Sequence, residues 1–178
     1  LGDTVCVAGR IAAPFSAGAL VYGIDRWLMA VLDDPELVRD NAAFFVDHQA
    51  AFGRAQLEAG ADLVWLGDCV AGSYFIGPGQ YERFALEPAT RVVEAMNAAG
   101  GLVIYHSAEI SPPHLKLQAR LPPCGINVGE GPRLGGLREA LGSRRCLLGN
   151  FDPKLLRDGR PAEVAAAAAA MVRENLPT

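Results

Sequence analysis

Apolar residues run along this chain in two patterns: short unbroken blocks, and longer stretches spaced by three or four. The blocks are residues 4–8, 61–66, 102–105, 125–128 and 145–148. Blocks of this length without polar alternation read as strands, and the block 61–66 reads as buried on both faces. The longer stretches read as helices. One covers 19–32, after a loop at 12–18 that carries Pro14. The next opens at Asp34, a cap residue, with Pro35 at its first position, and runs to about Ala59, where Gly60 stops it. Its apolar positions Leu37, Val38, Phe44, Phe45, Ala51, Phe52 and Ala55 recur at helical spacing. A helix over 80–99, bent by Pro88, ends at Gly100-Gly101. Shorter helices follow near 114–119, 133–141, 153–156 and 161–175.

Strands and helices therefore alternate, which predicts a parallel sheet with helices outside. An open doubly wound sheet and a closed (β/α)8 barrel both satisfy this order. No G-x-G-x-x-G follows a strand, so a dinucleotide fold gains nothing. Five strand–helix units are short of a barrel, which takes about 250 residues.

Composition narrows the classes. The 178 residues are 51% hydrophobic and 20% charged, which marks a folded globular chain with a sizeable core. A net charge of -4 without a basic run argues against nucleic-acid binding. No apolar run reaches bilayer length, and the alanines at 165–170 are flanked by polar residues. No basic segment followed by an apolar stretch opens the chain, so no signal peptide is expected. Cys6, Cys69, Cys124 and Cys146 form no C-x-x-C pair, and three lie in or beside apolar segments. Reduced core thiols and a cytoplasmic setting are the expectation. The start at Leu1 reads as a trimmed or partial chain.

The polar residues that punctuate these blocks have a recognisable order. Residues 9–28 read G-R-I-A-A-P-F-S-A-G-A-L-V-Y-G-I-D-R-W-L, followed by Asp33-Asp34-Pro35-Glu36. A strand opened by Gly60-Ala61-Asp62 ends in Gly67-Asp68, and residues 78–88 read P-G-Q-Y-E-R-F-A-L-E-P. Then come the strand ending at His106, the segment Gly125-Ile126-Asn127-Val128, and Leu148-Gly149-Asn150-Phe151-Asp152-Pro153. The chain resembles the uroporphyrinogen decarboxylase superfamily, which includes corrinoid-dependent methyltransferases. The resemblance covers essentially all of residues 1–178. It implies an α/β fold of the (β/α)8 TIM-barrel type, incomplete here because the first and last strands are missing.

The resemblance also implies site residues. In the methyltransferase branch, the strand end at 106 reads His-x-Cys-Gly, and its histidine and cysteine bind zinc that holds a thiol substrate as thiolate. His106 matches, but Ala108 and Glu109 stand at the cysteine and glycine positions, and the later cysteine ligand would fall beyond Thr178. Relatives with a glutamate after the next strand point to Glu130, giving a nitrogen/oxygen set of His106, Glu130 and Glu109. The alternative is that His106 is a polar or substrate-binding residue without metal. The branch acting on quaternary amines lacks the cysteine and would want aromatic faces, for which Tyr74, Phe75, Tyr105 and Trp65 are placed, core packing being the competing role.

Asp68, after the second strand, is read either as a group that orients substrate or accepts a proton, or as a loop cap. Asn150 is a candidate substrate contact, and Asp152 before Pro153 a helix cap. His48 and His114 read as surface or structural residues. The decarboxylase branch needs no cofactor. It expects a tyrosine where Leu20 stands, with Tyr22 the nearest. Three functions follow. The first is an enzyme moving a methyl group between a small methylated compound or thiol and a corrinoid carried by a partner protein. The second is a tetrapyrrole decarboxylase, a carboxy-lyase. The third is a non-catalytic subunit that completes a split barrel, with a homo-oligomer or complementary subunit covering the open strand edges.

Overall fold

A computed structural model describes residues 4–131, 134–142 and 145–175. Five strands form one parallel sheet in the order β1-β2-β3-β4-β5: Ala8–Ala12, Leu63–Gly67, Leu102–Glu109, Gly125–Val128 and Leu147–Leu148. Each strand lies beside its predecessor, so right-handed crossovers place the connecting helices on a single face. This is the arrangement of a (β/α) barrel wall. It is not the two-faced arrangement of a doubly wound sheet, in which strand order reverses.

The first strand lies later than expected, at Ala8–Ala12 rather than 4–8. The loop expected around Pro14 is instead the first turn of helix α1, Pro14–Tyr22, because proline fits a first helical position well. Gly23, at φ +85°, breaks the expected single helix and starts α2, Ile24–Asp33. Helix α3, Pro35–Glu58, begins as read from the sequence: Asp34 accepts from Leu37 N at 3.1 Å, and Pro35 occupies the first turn. Helix α4, Pro78–Gln80, continues through a π-helical turn, Tyr81–Leu86, into α5, Glu87–Ala98. The wide turn meets Pro88, which has no N–H to donate and crowds the carbonyl four residues back. Helices α6 (Pro112–Gln118), α7 (Leu134–Leu141), α8 (Pro153–Asp158) and α9 (Pro161–Asn175) complete the chain. Arg133, expected to begin α7, lies outside the described residues. Asp152 caps α8 by accepting from Lys154 N at 2.7 Å. Among the described residues, no single helix is long and apolar enough to cross a membrane.

The sheet has two unlike faces. Ile11, Val64, Leu66, Val103 and Tyr105 point at the helices and are buried with Phe15, Trp27, Val46, Val92 and Met96. The alternate residues lie on the other, concave face, where a barrel keeps its interior. That face is open, and Leu102 is 69% exposed on it. A smaller cluster of Leu115, Ile126, Val128, Leu137 and Leu141 extends the core under α6 and α7. The outer edge of β1 is occupied by α3. Gln56 accepts from Arg10 N at 2.7 Å and donates to Arg10 O at 3.2 Å, while Gln49 accepts from Ala12 N at 3.2 Å.

The expected core thiols are not there. Cys6, Cys69 and Cys146 are exposed and Cys124 is half-buried. Cys6 and Cys146 precede the strands they were assigned to, and Cys69 follows the end of β2.

Candidate functional site at the carboxyl end of the sheet

Strand register brings Ala12, Gly67, His106, Asn127 and Leu148 into one row across the concave face, at the carboxyl ends of the strands. In that row, His106 Nδ1 lies 2.6 Å from Asn127 Oδ1. Asn127 Nδ2 donates to Leu148 O at 3.3 Å, so the amide oxygen faces the ring and can only accept. His106 therefore carries its hydrogen on Nδ1 in the neutral form and keeps the lone pair on Nε2. The Trp65 ring packs against the imidazole, with centroids 4.8 Å apart and planes at 43°. Arg10, Cα partner of Trp65, lies one row lower.

Behind this face runs a buried polar chain. Asp68 is fully buried at the end of β2 and accepts from Ser16 Oγ at 2.7 Å and from Tyr105 OH at 2.6 Å. Tyr105 has spent its hydrogen on the carboxylate, so Tyr81 OH donates to Tyr105 OH across 3.1 Å. Ser16 in turn accepts from Val70 N at 3.2 Å. Burial lifts the Asp68 carboxyl from its ordinary 3.8 to about 6, against the Tyr105 and Ser16 hydroxyls, which favour the charged form. Burial, reinforced by the negative Asp68, pushes the Tyr81 and Tyr105 phenols up. Asp68 also extends the β2–β3 ladder through its backbone, donating N–H to His106 O at 2.7 Å.

Strand β3 runs on past the expected end at Tyr105. The β3–β4 register shifts between His106 and Glu109, where Ala108 takes φ +52°. Glu109 keeps the side of Val103, Tyr105 and Ser107, facing the helices, and is 2% exposed. It accepts from Ser73 N at 2.7 Å, Ser73 Oγ at 2.6 Å, Ile110 N at 2.8 Å and Ser111 N at 2.7 Å. Burial by itself would raise this carboxyl, but the four donors outweigh it and hold it below the usual range. Glu109 thus ties the loop after β2 to the loop after β3.

The sequence candidates are consequently divided. His106 stands on the concave face, whereas Asp68, Tyr105 and Glu109 lie on the helix side. Asn150 follows β5, half-buried, at the same end of the sheet as His106. Tyr74 is 91% exposed and pairs edge-on with Phe75, so the four aromatics do not converge into a cage. Glu130 sits in the exposed turn after β4. Among the described residues, no three His, Cys, Asp or Glu side chains could hold a metal ion together. Both Glu109 oxygens are already engaged and Ala108 offers no donor, so the described residues do not fit a tetrahedral zinc set. His48 is exposed against Phe44. His114 is buried in α6 against Tyr81, not in a loop. Ser16, Ser73, Tyr81, Asn127 and Arg10 were not singled out from the sequence. Period-two alternation from His106 and its strand partners is the signal that could have found Arg10 and Asn127.

The uroporphyrinogen decarboxylase (URO-D) family model matches residues 1–177. The chain belongs to the URO-D family. Its relatives are of two kinds. One is the methylcobamide:CoM methyltransferase MtbA of Methanosarcina mazei, 27% identical over 169 residues, covering 93% of this chain and 49% of that protein. Another is the uroporphyrinogen decarboxylase of Myxococcus xanthus, 28% identical over 159 residues, covering 86% of this chain and 45% of the other. The URO-D fold is also seen in a solved methyltransferase from Methanosarcina mazei, with TM-score 0.84 and 19% identity over 96% of this chain and 50% of that one. The chain spans about half the length of the curated relatives it matches.

Proposed function

We propose that this URO-D domain forms part of a methyltransferase that moves a methyl group between a small methylated compound or thiol and a corrinoid carried by a partner protein. The observation that carries this reading is the His106–Asn127 pair, which leaves His106 Nε2 as a lone-pair acceptor on the open face. The MtbA relatives support it. With a thiol acceptor, His106 Nε2 would take the S–H proton as general base, and the partner protein's corrinoid would supply the methyl group and keep the electron pair of the bond that breaks. Asn127 holds the ring, Trp65 packs one face of it, and Asp68 N–H fixes the strand end that presents it. No step is routed through zinc.

The test mixes the chain with a methylated corrinoid protein and a thiol, and follows the corrinoid absorption spectrum. Demethylation that disappears in His106→Ala supports the reading. Methyl transfer that survives the substitution removes His106 from the chemistry. Turnover of uroporphyrinogen with release of carbon dioxide, and none of methylcorrinoid, moves the protein to the decarboxylase reading, which the Myxococcus xanthus relative supports.

A further inference from the structure

Arg10 is the sole formally charged side chain at the described strand positions of the concave face, and no carboxylate shares that face. It makes no ion pair with the described residues. Its backbone is fully engaged with Gln56, which fixes β1 without touching the guanidinium. Arg10 is exposed on that open face, so its guanidinium can meet a ligand arriving from solvent. Its planar fork of N–H donors matches the two oxygens of a carboxylate or sulfonate. Trp65, its Cα partner on β2, packs its ring on His106 and so links the two positions across the face.

The charge is also felt at the mouth of the site. Burial and Asp68 push the Cys69 thiol up, and Arg10 pulls in the opposite direction. The guanidinium charge is therefore felt at Cys69, just past the carboxyl end of β2.

We infer that Arg10 is an anion subsite on the concave face, placed to hold the carboxylate or sulfonate group of a small substrate whose reacting atom lies at His106. The inference rests on the reading of this face as the substrate pocket. Arg10 and His106 are two strands and two residues apart, which sets their Cα atoms roughly 12 Å apart. Both side chains reach inward from there, leaving room for a substrate with only a few bonds between reacting atom and oxyanion. The same charge disfavours a simple quaternary ammonium in this pocket, because a like charge facing it is repulsive.

The test is an NMR titration of the full chain carrying 15N-labelled arginine. The probes are propionate and ethanesulfonate, with tetramethylammonium as the cationic control. The expected result is a saturable shift of the Arg10 Nε–Hε signal with both anions and none with the cation. Arg10→Gln should weaken anion binding by about tenfold or more, since a charge-assisted hydrogen-bonded pair is lost. Arg10→Lys should recover part of it, keeping the charge without the fork. Unchanged anion affinity in Arg10→Gln overturns the inference, as does a lower Tm in that variant with affinity retained, which assigns Arg10 to the fold. Anion binding through Arg10 without methyl transfer sinks the proposed function alone. Methyl transfer indifferent to Arg10→Gln sinks the subsite alone.

Discussion

Asn127 Oδ1 and His106 Nδ1 meet at 2.6 Å across β3 and β4, and the Asn127 amide is held the right way round by Leu148 O. Substituting Asn127→Leu removes the acceptor and lets the ring hydrogen redistribute between its nitrogens. The expected outcome is methyl transfer slowed by roughly ten- to a hundredfold, within what positioned general-base help supplies. In 15N NMR, the His106 ring should change from one tautomer to a mixture. A single unchanged tautomer in the variant would show that something other than Asn127 sets it.

Asp68 gives a pH signature. Its folded pKa of about 6 lies above the ordinary 3.8, so its contribution to stability is complete below the unfolded value and lost as pH rises through about 6. The loss amounts to on the order of 3 kcal/mol between about pH 4 and pH 7. Asp68→Asn cannot ionise and should flatten that part of the curve. Urea unfolding of both proteins across the range measures it, and parallel curves would remove Asp68 as the cause.

Glu109 has the opposite sign. Its pKa is lowered, so its contribution is present above the usual carboxylate range and lost as pH falls through the lowered value. Glu109→Ala leaves the Ser73, Ile110 and Ser111 amides without their acceptor and should cost roughly 2–4 kcal/mol. Hydrogen exchange at those three amides should accelerate together, because one carboxylate secures both loops.

Gly18 lies where α1 crosses α2, and a Cβ there would meet the fully buried Trp27 ring. Gly18→Ala should destabilise by about 1–3 kcal/mol, the usual cost of overpacking a rigid core. For a domain of this size that is a Tm lower by roughly 2–4 °C per kcal/mol, read by differential scanning calorimetry. Gly23→Ala tests a different cause at the same corner, a backbone at φ +85° with nothing within 4 Å of the added atom.

The strand blocks showed the parallel α/β order in the sequence, because buried parallel strands need unbroken apolar runs. Motif order then supplied the family. The expected extent of helix and loop failed at Pro14, where proline starts a helix, and at Gly23, where a positive φ breaks one. The site was partly legible. His106 ends an apolar block, so it stood out. Asp68 and Glu109 also follow apolar runs; alternation from Gly67 and His106 puts both on the face opposite His106, but their hydroxyl and amide partners come from other segments and are not visible in the sequence. Ser16 and Tyr81 join Asp68 and Tyr105 through pairs separated by 52 and 24 residues, contacts that no local pattern encodes.

The wide turn at Tyr81–Leu86 carries one residue more per turn than an α-helix would. Tyr81 opens that turn and reaches Tyr105 from it. Removing a single residue between 82 and 86 would let the coil close as an ordinary α-turn and would leave Tyr81 facing nearly the same way relative to α5, because the extra residue is taken up inside the turn. Chain length here is thus buffered: the widened turn takes up one residue locally and leaves the outer phenol wired to the buried carboxylate.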